Sequence, residues 1–242
     1  MFSHARPHPR HSLMAQDRDA FADEEVPSGR GYPQDYSPRP LPEQARLLQS
    51  VFPRLGAVVP PAPSPLPAGA EAWFLVPDWR RVATTYNTAV IDALAALRST
   101  RSTSFSRVDR LGPNSLRLHA RTTEMSGRLP ALGDSGLLLV AAQFGVRHRG
   151  RSVRRSRTQF AGHEFGLGAF AVAAMLLTHP ERIAQFDQLY LDCAGDEYSA
   201  SDEQQFSEAP YFRFLDGRLA FGTSWYGTSD AYFGSASAFL PG

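Results

Sequence analysis

Fourteen of the 19 prolines in this 242-residue chain fall before residue 78. Proline lacks an amide hydrogen and fixes φ, so it is disfavoured in helix interiors and central strands. Residues 1–40 also mix Arg with Asp and Glu and have almost no apolar periodicity. Such a segment buries too little apolar surface to offset its ordering entropy. It reads as a disordered or surface-draped Pro-rich arm, and residues 41–242 as a single globular domain. Within that domain Pro42 suits the first turn of a short helix, and residues 59–69 (VPPAPSPLPAG) read as a polyproline-type connector.

The remainder carries clear periodicities. Trp73 to Val76 reads as a strand. Asp78 reads as the N-cap of a helix to about Arg98, in which Val82, Tyr86, Val90, Ala93, Leu94 and Leu97 form an apolar stripe. Residues 114–127 suggest a more polar helix. The uninterrupted apolar run 137–142 has the pattern of a strand covered on both faces. Residues 164–178 read as a buried helix, and Thr178 with Glu181 as a capping box opening another. Residues 188–193 (QLYLDC) form a further strand. Residues 211–223 form a hairpin around Asp216-Gly217, a pair that supplies the positive φ angles of a type I′ turn. The tail from Gly222 reads as an aromatic-packed loop. Together these predict an α+β or mixed α/β fold. Its central sheet includes strands near 137–142 and 188–193 and the 211–223 hairpin, packed by helices near 79–98 and 164–178.

All 25 basic residues are arginine. Without lysine there is no Schiff-base chemistry and no phosphate-loop lysine, which removes pyridoxal-dependent enzymes, P-loop NTPases and protein kinases. The accompanying wealth of Ala, Gly and Pro points to a bacterial-type nucleotide-composition bias as the cause. No G-x-S-x-G elbow, CxxC pair or GxGxxG loop occurs. The single cysteine, Cys193, forms no intrachain disulfide and fits a reducing, cytoplasmic compartment. The longest apolar run, Leu167 to Leu177, is far short of the roughly 20 residues of a membrane span. Met1 to Asp17 lacks the apolar stretch of a secretory signal. No membrane partner is expected.

Charge is segregated along the chain. Residues 101–163 set twelve arginines against Asp109, Glu124 and Asp134, a net of +9. Residues 164–242 set eleven acids against Arg182, Arg213 and Arg218, a net of −8. The positive pole runs from Arg147 to Arg157 (RHRGRSVRRSR). Guanidinium groups match phosphate bidentately, so Arg147, His148, Arg149, Arg151, Arg154, Arg155 and Arg157 are candidate residues for binding nucleic acid or another phosphorylated ligand. Only Phe144 and Phe160 flank them as stacking aromatics. In the plainer reading these arginines pair with the acidic half, Asp192 and Glu197 included, as a lock whose loss destabilises the fold.

The negative pole centres on Asp192, Asp196 and Glu197. Carboxylates converging at a strand end suit Mg²⁺ or Mn²⁺, and no other cofactor is expected. If strands 137–142 and 188–193 are parallel and joined by a crossover helix, both end at one sheet edge, where ligands collect. The arginine loop then faces the carboxylate turn. Asp202, Glu203 and Glu208 read as a solvated loop face, and His119 and His163 as interior or capping histidines. His163-Glu164 lacks the second histidine of a zincin. Cys193 reads as a small buried hydrophobe, and Gly166 and Gly168 as helix glycines allowing close packing. Three functions fit these features. The first is a binding protein for nucleic acid or another phosphate-rich ligand. The second is a metal-assisted phosphoryl- or phosphodiester-transfer enzyme using Asp192, Asp196 and Glu197. The third is a structural or assembly subunit docking a protein partner through the arm.

Overall fold

The computed structural model describes residues 18–57, 65–105, 111–112, 114–200 and 205–241. The first 17 residues of the arm, residues 58–64 with the first half of the connector, and Asp202 and Glu203 lie outside them. In chain order the elements are α1 (Leu41–Val51), β1 (Ala72–Pro77), α2 (Trp79–Val82), α3 (Tyr86–Thr100), β2 (Thr103–Phe105), β3 (Leu116–Leu118), α4 (Ala120–Ser126) and β4 (Leu137–Gln143). Then follow α5 (Val153–Gln159), β5 (Glu164–Gly166), α6 (Ala169–Thr178), β6 (Tyr190–Asp192) and β7 (Asp196–Tyr198). The hairpin β8 (Glu208–Leu215) and β9 (Arg218–Trp225) leads to β10 (Phe233–Ser235) and β11 (Ser237–Phe239). The class is α+β, with sheet packed against helices.

The first sheet is antiparallel, in the order β1-β4-β11-β5. The second is mixed and runs β10-β6-β8-β7-β3, with β9 on the other edge of β8 and β2 beyond it. Residues 233–239 stitch the two together, since β10 pairs with β6 and β11 then inserts between β4 and β5. β4 (LLLVAAQ) sits inside its sheet and is buried along nearly its whole length, which is why it shows no alternation. α6 (AFAVAAMLLT) has nine of its ten residues buried and packs on β1, α1 and α3. Among the described residues, no helix is long and apolar enough to cross a membrane.

Several boundaries differ from the sequence reading. The helix expected near 79–98 is two helices. Asp78 caps the Arg80 amide, α2 stops at Val82, and Thr85 caps a new start at the Thr88 amide. The polar helix expected at 114–127 divides into β3 and α4. The helix expected at 164–178 begins only at Ala169, because residues 164–166 pair with β11. Gly166 and Gly168 do permit close packing, but outside the helix: a Cβ on Gly166 would lie 2.5 Å from the Ala194 backbone. Thr178 forms no capping box. Its hydroxyl donates back to the Met175 carbonyl, and a single 3₁₀ turn, Pro180–Arg182, follows. The aromatic tail supplies β10 and β11.

The strands near 137–142 and 188–193 fall in different sheets. β11 takes the open edge of β4, while β6 lies between β10 and β8. No βαβ unit joins them, so the shared sheet edge does not exist. The hairpin is formed as expected, with Asp216 and Gly217 at φ +50° and +74°.

Candidate functional site

The arginine segment leaves β4 through Gly145 (φ +105°), makes a 3₁₀ turn at Val146–His148, and enters α5. Ser152 starts α5. Its hydroxyl accepts from the Arg155 amide at 3.0 Å and donates to Glu24 at 2.6 Å. The arm runs alongside as a short strand-like bridge. The Val26 amide donates to the Gly150 carbonyl at 2.8 Å, and the Ser152 amide to the Glu24 carbonyl at 3.1 Å. Gly150, at φ +78°, permits this approach, since a Cβ there would lie 2.1 Å from the Val26 oxygen.

The arm supplies most of the counter-charge. Arg154 Nε lies 2.7 Å from Glu24 Oε1, and Glu25 receives Arg151 at 2.9 Å and Arg155 at 3.2 Å. Burial opposes ionisation of Glu24, yet Arg154 and Ser152 hold its carboxyl below the usual range. The acidic half contributes two pairs, Arg147–Glu164 at 3.3 Å and Arg157–Glu197 at 3.9 Å. Arg157 donates at shorter range to the carbonyls of Ala194 (2.9 Å) and Asp196 (2.7 Å). Arg149 is exposed and donates to the Arg30 carbonyl at 3.0 Å.

His148 is turned inward. It is 1% exposed, with Nε2 2.7 Å from Glu164 Oε1 and Nδ1 facing Arg151 Nη1 at 3.4 Å. Burial lowers its pKa. An arginine donor facing Nδ1 fits the neutral ring, which donates from Nε2 and accepts at Nδ1. Burial would push Glu164 up, but His148, the Ser237 hydroxyl (2.6 Å) and the Ala161 amide (3.1 Å) hold it below the usual carboxylate range. This buried cluster pins the segment in place and leaves His148 no access to a ligand.

Aromatic rings missing from the local sequence arrive from elsewhere in the chain. The Arg154 guanidinium lies over Phe21 at 4.2 Å, Trp225 at 4.8 Å and Tyr226 at 5.6 Å. Trp225, at the end of β9, is 51% exposed, and Phe21 is 39% exposed. The flanking Phe144 and Phe160 are both buried. The SWYG stretch at 224–227 was the only signal for this platform, and its distance from the arginines in sequence hid it.

The three candidate metal carboxylates do not converge. Asp192 is buried at the end of β6, where burial and then Asp230 push its carboxyl up to about 7. Asp196 accepts the Ala169 amide at 2.6 Å and the Tyr86 hydroxyl at 2.7 Å, capping the start of α6. Glu197 pairs with Arg117 at 2.8 Å. Strand alternation puts neighbours Asp196 and Glu197 on opposite faces of β7. Among the described residues no group of three His, Cys, Asp or Glu is placed to hold a metal ion. Nor does Asp192 join the arginine lock, having no ion pair with arginine among the described residues. Glu208 is part of β8, with one carboxylate oxygen buried, rather than a solvated loop residue. His163 is exposed beside Phe239, and His119 precedes α4 without a side-chain capping bond. Cys193 is a buried free thiol. No protein-family model matches the chain, and neither curated proteins nor solved structures give a match.

Proposed function

We propose that this chain is a cytoplasmic binding protein for nucleic acid, engaged through Arg149, Arg151, Arg154 and Arg155 with Trp225 as the stacking surface. One observation carries the reading: the half-exposed Trp225 ring lies against the Arg154 guanidinium. Arginine supplies charge-assisted, bidentate contacts to phosphate, and an exposed indole supplies a face on which any base can stack. A phosphate-rich ligand without bases would use the same arginines and leave Trp225 untouched, so the indole separates the two ligand classes.

Fluorescence anisotropy with short single-stranded DNA and RNA at two salt concentrations tests it. Affinity is expected to fall as salt rises, each phosphate contact adding about 0.7 log units per decade. Trp225→Ala should weaken binding by roughly 5- to 150-fold, equivalent to about 1–3 kcal/mol of lost stacking, with the salt slope unchanged. Absence of binding at low salt overturns the proposal.

A further inference from the structure

We infer that residues 18–28 are an acidic strap that occupies the arginine face in place of nucleic acid and is displaced when nucleic acid binds; this rests on the function proposed above. Glu24 and Glu25 take up the same guanidinium nitrogens of Arg151, Arg154 and Arg155 that phosphates would use. The Phe21 ring lies on the Arg154 guanidinium, where a base beside Trp225 would otherwise be received. Backbone carbonyls of the strap, at Arg18 and Ala20, both accept from Nη1 of Arg155. Carboxylate and aromatic ring together reproduce the two chemistries of a nucleotide, an anion and a planar face.

The strap is also built to come away. Its pairs to Glu25 are partly solvated, with side-chain exposures of 25% and 34% for Arg151–Glu25, and such pairs weaken in salt; Glu24 is the more buried anchor, its side chain 10% exposed. Phe21 holds φ at +59°, a left-handed conformation that costs energy for a residue with a Cβ and is relieved on release. Gly29, with nothing within 4 Å of where a Cβ would lie, is the hinge from which the strap would swing, just before Gly31, whose carbonyl accepts the Leu189 amide at 3.0 Å. Beyond the hinge the chain is anchored independently: Tyr32 donates to the partly buried Glu71, and Arg39 pairs with Glu181 at 2.8 Å. Release of residues 18–28 therefore leaves the core intact.

Exchange of one anion for another on the same guanidinium groups makes the strap a competitor that lowers the apparent affinity by the fraction of open molecules. The full chain and its Glu24→Gln/Glu25→Gln variant are titrated with a fluorescent oligothymidylate of about 12 nucleotides. The variant is expected to bind about tenfold or more tightly at low salt, because its open fraction is larger. In the wild-type chain, hydrogen exchange of the Val26 and Ser152 amides should accelerate on adding the oligonucleotide, while β4 stays protected. Equal affinities, or oligonucleotide binding with both amides still protected, overturn the strap and leave the binding reading standing. No binding by either protein overturns the binding reading, and the strap with it. The exchange measurement needs no variant, so it decides the matter even if the double substitution impairs folding.

Discussion

Asp192 and Glu164 are both buried carboxylates, yet their surroundings give them opposite responses to pH. Burial and Asp230 raise Asp192 to about 7 from an ordinary value of 3.8. Between those values the folded state holds a proton that the unfolded chain has released, so stability falls as pH rises from about 4 to about 7. Asp192→Asn should remove that fall and leave the variant more stable than wild type at pH 8, by at most about 4 kcal/mol. Urea melts across pH 4–8 measure this, and a wild-type advantage at pH 8 counts against it. Glu164 is held below its ordinary value by His148, Ser237 and the Ala161 amide, so its contribution is full above about pH 4.5 and is lost on acidification. Glu164→Gln is expected to cost about 3 kcal/mol at pH 7 from weakened charge-assisted hydrogen bonds. The two curves should converge in acid; a constant gap down to pH 3 means that packing, not charge, sets the cost.

At the scale of elements, the tightest constraint is the crossing of β5 with the turn between β6 and β7. A Cβ on Gly166 would lie 2.5 Å from Ala194 C, and one on Gly195 2.4 Å from Gly166 O. Backbone cannot swing aside as a side chain can. Gly166→Ala and Gly195→Ala should each cost about 1–3 kcal/mol through overpacking, seen as a drop in Tm of several degrees. Gly162 has nothing within 4 Å of a Cβ and no positive φ, so Gly162→Ala is the matched control and should melt with the wild type. Equal losses at Gly162 and Gly166 would show that lost glycine itself, and not the crossing, is responsible. The crossing also carries the α6 start. Gly195 sits one residue before Asp196, whose carboxylate receives the Ala169 amide, so the apolar helix has its cap delivered by a strand from the other sheet.

Across the whole molecule, the two charge halves found in the sequence meet at Arg147–Glu164 and Arg157–Glu197, but they do not balance each other alone. The basic segment is neutralised chiefly by Glu24 and Glu25, more than 120 residues away along the chain. This arrangement predicts a hierarchy of opening. Amides of β4 and α6, deep in the core, should exchange only through global unfolding, and those of Val26 and Ser152 through local release of the strap. Mass-spectrometric hydrogen exchange checks the order, and equal protection of both sets would contradict it.

What the sequence determined by itself was whatever local chemistry settles. The Asp216-Gly217 pair fixed the hairpin because few other residues tolerate two successive positive φ angles. The unbroken apolar run of β4 marked a strand covered on both faces. The absence of lysine excluded whole classes of enzyme without reference to structure. Short apolar runs were not settled in this way: residues 164–178 carry no period that separates a three-residue strand from the helix behind it, and only pairing with β11 divides them. Strand order, too, depended on β11 lying between β4 and β5, a contact about 70 residues distant from β5 in sequence. The arginine face followed the same rule. Its charges were legible from Arg147 to Arg157, but its aromatic surface, Trp225, and its counter-ions, Glu24 and Glu25, come from opposite ends of the chain. Only tertiary packing brings them together, because neither a stacking contact nor an ion pair requires closeness in sequence.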